Sequence, residues 1–346
     1  MEINQIIQST IDRLSENKEW EERFQKYIQN IAINHQINGK RSFRKPDGLS
    51  LYSSVKSKVK SYDLRFRGQS VATVKETAAK KVKLIPKSVA NQKYFGLDLR
   101  KKVVDWDSTE ASNFRSFFKK ESLKFTTERP DADRKYPKSK EHRVENCLLR
   151  EFSKQLGKEK ALCYIQPIKL YNLFFQMPTP LKASTHNPTY SERGGGIDIL
   201  ARIKPLKGIS RICVMEVKDE NKPAESQATA MAQAVTYAVF IAYLLRSKSG
   251  QHWWDFFMGR SLKATKEKDG TTRIHVIKEM PKSLDIDVVT IMPQGTTEEF
   301  CDKHILLDEL DTTLHCHSLY YDKELFQKDE TFIFSGTYPN QLRKWK

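Results

Sequence analysis

Asp198, Glu216 and Lys218 stand where a folding chain should avoid charge. Asp198 lies between Ile197 and Ile199 on a stretch that reads as a strand. Glu216 and Lys218 flank Val217, directly after the apolar run Ile212-Cys213-Val214-Met215. Side chains at i and i+2 of a strand share a face, so Glu216 and Lys218 project together. Two carboxylates on neighbouring strands, with no compensating Arg close in sequence, repel each other, and a divalent cation resolves that repulsion. Oxygen ligands select a hard ion, Mg2+ or Mn2+. Such an ion acidifies a bound water and stabilises charge on a phosphate oxygen, and an adjacent lysine can orient the attacking water. Gly194, Gly195 and Gly196 come just before Asp198 and remove side chains where a bulky backbone would approach.

The elements around these residues follow from hydrophobic periodicity. The segment "EHRVENCLLREFSKQLG" from 141 predicts an amphipathic helix, with Val144, Leu148, Leu149 and Phe152 on one side and Gly157 as its stop. Three strands follow, in "ALCYIQPIKLYNLFFQMP", "GIDILARIKP" and "SRICVMEVK". A long Ala-rich helix comes next in "ESQATAMAQAVTYAVFIAYLLRSK", then a fourth strand in "SLDIDVVTIMP". The order of helix, three strands, helix and strand belongs to an α/β layered domain.

Asp, a gap, then Glu-x-Lys at strand ends resembles the signature of the PD-(D/E)XK nuclease superfamily. The resemblance implies a restriction-endonuclease-like core in the order just read, and it spans about residues 141–295. It also implies a Glu on the first helix, for which Glu145 fits best, with Glu141 and Glu151 as fallbacks. RecB-like members carry Gln-x-x-x-Tyr on the helix after the Lys, and Gln233-Ala-Val-Thr-Tyr237 stands there. Gln233 and Tyr237, four apart, share one helix face. Ile197 stands where the family often has proline. By resemblance, Asp198, Glu216, the Val217 carbonyl and Glu145 are metal ligands for Mg2+, with Mn2+ able to substitute. Lys218 orients the water, and Gln233 and Tyr237 organise the site or contact the substrate backbone. The bland alternative is a surface Glu216–Lys218 ion pair with Asp198 capping a turn. It leaves the glycines and the Gln-x-x-x-Tyr unexplained.

The remaining sequence separates a basic α+β N-terminal domain from this core. The net charge is +17, and most of the excess falls in residues 37–104, a concentration that suggests a polyanion partner. Residues 1–36 read as a helical segment, broken near Asn17. Residues 37–135 form a basic β-rich module with a hairpin turning at Gly68, and "ERPDADRKYPKSK" at 128–140 is the boundary before a domain over 141–346. Arg65, Arg67, Lys80, Lys81, Lys83, Arg193, Gly194 and Gly195 are the candidates for holding nucleic acid. Aromatics among the basic residues could stack bases.

Mean hydropathy of −0.63 points to a soluble protein. No run of eighteen apolar residues suggests a membrane span, and sparse cysteines suggest a reducing, cytoplasmic setting. Cys301, His304, His315, Cys316 and His317 resemble a zinc set, but strand alternation puts Cys316 on the face opposite His315 and His317, so strand residues are the expectation. "QHWWDFFMGR" at 251–260 reads as a packed segment covering the core. With neither a P-loop nor a Gly-x-Gly-x-x-Gly, any motor is a separate chain.

The expectation is a DNA endonuclease, with RNA not excluded by any residue. A prokaryotic restriction or anti-phage setting is implied by resemblance alone, with a homodimer, a separate NTPase or a defence-complex subunit as conceivable protein partners. The alternative is a non-cleaving nucleic-acid-binding or scaffold subunit of a larger defence or repair complex.

Overall fold

The computed structural model describes residues 3–33, 49–55, 61–77, 79, 81–87, 103–127, 140–153, 165–170, 173–183, 187–203, 210–219, 225–295 and 303–336. In chain order the elements are α1 (Ile3–Glu16), α2 (Glu19–Ile33), β1 (Leu49–Ser53), β2 (Ser61–Phe66), β3 (Gln69–Glu76), β4 (Val82–Pro86), β5 (Val104–Asp105), α3 (Thr109–Thr127), α4 (Lys140–Phe152), β6 (Ile165–Pro167), β7 (Lys169–Leu170), β8 (Leu173–Phe175), β9 (Pro178–Lys182), β10 (Thr189–Gly196), β11 (Ile199–Ile203), β12 (Arg211–Val217), α5 (Gln227–Arg246), α6 (Gly250–Phe257), β13 (Lys263–Lys266), β14 (Thr272–His275), β15 (Leu284–Pro293), β16 (Lys303–Leu307), β17 (Thr312–Tyr321), α7 (Lys323–Asp329) and β18 (Phe334–Gly336). They fall into two compact units, one of residues 1–33, 148–168 and 176–346, the other of residues 34–147 and 169–175.

In the first unit the main sheet runs β16-β17-β15-β12-β11-β6, and β18 also pairs with β17. Strands β12, β15 and β17 are parallel, whereas β11 is antiparallel to both β12 and β6. Parallel strands are covered on both faces and read as near-continuous apolar runs. That explains β12, buried from Ile212 to Val217, and β15, where only Asp285 is exposed. The parallel step from β12 to β15 needs a crossover, and α5 begins it.

Helix α5 is apolar all round because both its sides are covered. It packs on β12, β15 and β17, and it also touches α1 and α6. By length and composition it could cross a membrane, yet most of it is buried inside the unit. Trp20 and Phe24 of α2 meet Phe240 of α5 edge-on, at 5.7 and 5.0 Å between ring centroids. Trp20 also donates its indole N–H to the Leu14 carbonyl at 3.1 Å, joining α2 to α1. The N-terminal helices, read from the sequence as a segment of their own, are thus part of this core. The aromatic segment is α6, with Trp253, Trp254, Phe256 and Phe257 all buried, each such side chain contributing roughly 1.5–3 kcal/mol on leaving water.

In the second unit the sheet order is β5-β4-β3-β2-β1-β8-β7. The alternation in β2 buries Tyr62, Leu64 and Phe66 on one face, where α3 adds Ala111, Phe114 and Phe118 at three- and four-residue spacing. The predicted hairpin turns at Arg67 and Gly68, both with positive φ, as a tight two-residue turn requires. A Cβ on Gly68 would come within 1.9 Å of the His142 carbonyl oxygen. One expectation is corrected here. The run from Ala161 to Pro178 is not a single strand, because only Ile165–Pro167 joins the first unit's sheet, while β7 and β8 complete the second, with β8 parallel to β1. The boundary stretch 128–139 and Gly157 lie outside the described residues.

Two ion pairs, Arg65–Asp63 and His142–Glu145, help organise the second unit. Arg65 pairs with Asp63 at 2.7 Å and lies over the Tyr52 ring at 4.0 Å. Burial pushes the Asp63 carboxyl up, but the Ser70 hydroxyl, Arg65 and Lys87 outweigh it and hold the group below the usual carboxylate value. His142 lies 3.4 Å from the Glu145 carboxylate, and that hydrogen bond raises its pKa above the ordinary 6.5, against the opposing effect of burial. A raised histidine pKa contributes stability that is fully present below the unfolded value and is lost as pH rises through the folded one. Denaturant unfolding should therefore show stability falling as pH climbs from 6.5. His142→Asn should remove that part of the slope, and an unchanged slope would exclude His142 as its source.

Candidate active site

The site forms where β11 and β12 leave the sheet. Ile199 pairs with Met215, so one residue further out on each strand Asp198 and Glu216 come side by side. Asp198 is not inside a strand, as the sequence suggested, but on a bend just before β11. There its Oδ2 accepts the Val217 backbone N–H at 3.0 Å. This hydrogen bond fixes the carboxylate against the end of β12. Lys218 continues that edge, donating its backbone N–H to Ile291 of β15 at 2.9 Å and accepting the Tyr321 hydroxyl on its carbonyl at 3.2 Å.

Glu216 and Lys218 do share a face, and their ion pair is 2.8 Å long. The side chains are only 6% and 9% exposed, which corrects the alternative of a surface pair. The Lys218 Nζ also donates to Gln233 Oε1 at 2.8 Å and meets Glu225 Oε2 at 2.9 Å. Gln233 donates its Nε2 to Glu225 Oε1 at 2.8 Å. Glu225 escaped the sequence reading. The signal that could have found it is Ser226, a good N-cap residue. Ser226 accepts the Thr229 N–H at 3.1 Å and starts α5, which puts Glu225 at the mouth of the helix that carries Gln233.

Tyr237 lies one turn beyond Gln233 and is nearly buried. Its hydroxyl is hydrogen bonded to the Ala183 backbone, and burial first, then the Glu216 and Asp198 charges, push its pKa well above the ordinary tyrosine value. It therefore stays a neutral phenol at any working pH. Asp198, Glu216, Lys218, Gln233 and Tyr237 are brought together within the first unit. Glu145 belongs to the second unit, where it is buried facing His142 and Arg65.

The three glycines have a reason inside the chain. Strand β10 bulges between Tyr190 and Gly195 as it pairs with β9. A Cβ on Gly194 would sit 1.6 Å from the Thr179 carbonyl oxygen. One on Gly195 would sit 2.8 Å from the Leu181 carbonyl oxygen and 3.3 Å from the Tyr237 hydroxyl, and one on Gly196 would meet the Gln176 side chain. In the direction each added Cβ would point, the neighbours are β9, the Gln176 side chain and the Tyr237 hydroxyl. Arg193, on the bulge, is exposed.

Among the basic candidates, Arg65 is enclosed and paired as described, Arg67 forms the hairpin turn, and Lys83 is 2.8 Å from Asp105. Lys81 is exposed, and Lys80 lies outside the described residues. In the histidine cluster, His304 and His315 face each other across β16 and β17 with Nδ1 atoms 2.7 Å apart, His315 Nε2 is 2.6 Å from Asp285, and Cys316 and His317 are buried. Cys301 lies outside the described residues. Among the described residues no group of three or more His, Cys, Asp or Glu side chains is arranged to hold a metal ion. Two carboxylates suffice for Mg2+, which takes one or two from protein and fills its octahedron with water and phosphate oxygens. The hard oxygen donors of Asp198 and Glu216 fit that ion.

Gly194 has φ +60° and a backbone oxygen in the way, whereas Gly270 has φ +82° and nothing within 4 Å. Gly270→Ala should cost about 1 kcal/mol in urea unfolding, from backbone conformation alone. Gly194→Ala should cost about 1–3 kcal/mol more, from the clash. Equal losses would show that the β9–β10 approach is not tight. The chain matches no family model, no curated protein and no solved structure.

Proposed function

We propose that this protein is a metal-dependent nuclease that hydrolyses phosphodiester bonds, with DNA as substrate and cleavage within the chain. The observation that carries this reading is the convergence of Asp198, Glu216, Lys218 and Gln233 at the ends of two adjacent strands and on the helix that follows. The order α4, β6, β11, β12, α5, β15, with β7 to β10 inserted after β6 and α6, β13 and β14 inserted after α5, supports the PD-(D/E)XK resemblance.

In this reading Asp198 and Glu216 hold Mg2+ or Mn2+, joined by the Val217 carbonyl. When bound, the ion supplies an acidified water and charge stabilisation at a phosphate oxygen. The positive charge of Lys218, held beside these carboxylates by Glu216 and Gln233, would orient and polarise the attacking water. Tyr237, held neutral, can donate a hydrogen bond to the substrate backbone. The surrounding buried shell strengthens each of these interactions by lowering the local dielectric.

Covalently closed circular DNA, incubated with Mg2+, Mn2+ or EDTA, tests the proposal. Nicking or linearisation is expected with either metal and not with EDTA. Asp198→Ala and Lys218→Ala should each lower the rate by about 10²–10³-fold, the scale for removing one group that stabilises transition-state charge. Variants that cut as fast as the parent would refute the assignment. Binding without cleavage by the parent protein would favour the non-cleaving subunit.

A further inference from the structure

Glu225 closes a ring that the proposed chemistry does not yet use. Its Oε2 meets Lys218 Nζ at 2.9 Å, and its Oε1 accepts Gln233 Nε2 at 2.8 Å. Gln233 Oε1 in turn accepts Lys218 Nζ at 2.8 Å. With Glu216 Oε1 also at 2.8 Å, the ammonium has three oxygen partners for its three protons. Each oxygen of Glu225 has its own partner, and Gln233 can satisfy both in only one orientation of its amide. Lys218 and Gln233 are nearly buried, whereas the Glu225 side chain is 32% exposed.

We propose that Glu225 is a positioning residue that fixes the direction of the Lys218 amine through two charge-assisted hydrogen bonds, one direct and one by way of Gln233. The catalytic consequence rests on the nuclease reading, but the tether itself does not. A long lysine stem has many rotamers, and three fixed acceptors select one of them. Without Glu225 the amine keeps Glu216 and Gln233 but loses its third anchor, and the Gln233 amide loses the partner for its N–H.

Two measurements on Glu225→Ala and Glu225→Gln test this. The first is acetylation by acetic anhydride, quantified at Lys218 by mass spectrometry against the exposed Lys263 and Lys266. Labelling of Lys218 should rise about tenfold in Glu225→Ala, the factor that losing one hydrogen bond to a charged group implies. The isosteric Glu225→Gln, which keeps the shape without the charge, should fall between the two. The second is cleavage kinetics, in which kcat should drop about 10- to 100-fold in Glu225→Ala with KM within twofold, and Glu225→Gln should recover part of the loss. Unchanged Lys218 labelling in both variants would overturn the tether. Raised labelling with undiminished kcat, or a Glu225→Ala protein with lower KM and higher kcat, would overturn the positioning role. A parent protein that cuts nothing would remove the nuclease reading alone, since labelling still decides whether Glu225 holds the amine.

Discussion

A lysine ammonium buried at the end of a core strand constrains everything around it. Taking such a charge out of water costs several kcal/mol unless each of its protons finds an acceptor. Here Lys218 is met by Glu216, Glu225 and Gln233 at hydrogen-bonding distance, and Asp198 stands beside them on the Val217 amide. Three carboxylates and one ammonium leave the group short of positive charge. The divalent cation proposed for Asp198 and Glu216 would offset that shortfall without adding a side chain.

The fold supplies the geometry through ordinary devices. Antiparallel pairing of β11 with β12 brings the two carboxylates abreast. The Ser226 cap sets where α5 begins, and two turns later Gln233, and three turns later Tyr237, reach the same edge. Burial of α5 between the sheet and the N-terminal helices holds that delivery rigid. Gln227 adds a second anchor, donating to Thr290 and Ser318 of the parallel strands at 2.6 Å each. The glycines let β9 close against β10 beside the Tyr237 hydroxyl, so their absence of side chains serves the chain's own packing.

The sequence disclosed the parts of this arrangement that have strong periodicity. The strands β12 and β15, the helix α5 and the shared face of Glu216 and Lys218 follow from patterns of two and of three to four residues. It was silent where tertiary context decides. Strands β7 and β8 look like a continuation of the preceding strand, yet β8 pairs with β1, a partner far away in sequence, and β7 with β8. Helix α3 carried a readable stripe in Ala111, Phe114 and Phe118, but charged residues dilute it. Arg65 looked like a surface cation because alternation cannot tell a solvent face from one covered by Tyr52 and Asp63. Glu225 was hidden because a loop residue has no period at all, and only the helix cap after it marks its place.

Metal binding itself tests the central claim most directly, because it asks about the carboxylates without assuming a substrate. Titration of Mn2+ into the protein, followed by electron paramagnetic resonance, should show saturable binding that Mg2+ displaces. Asp198→Asn and Glu216→Gln should each abolish it while circular dichroism and thermal unfolding show the fold retained. Saturable binding of equal affinity in both variants, or none in the parent protein, would contradict a metal centre at the ends of β11 and β12.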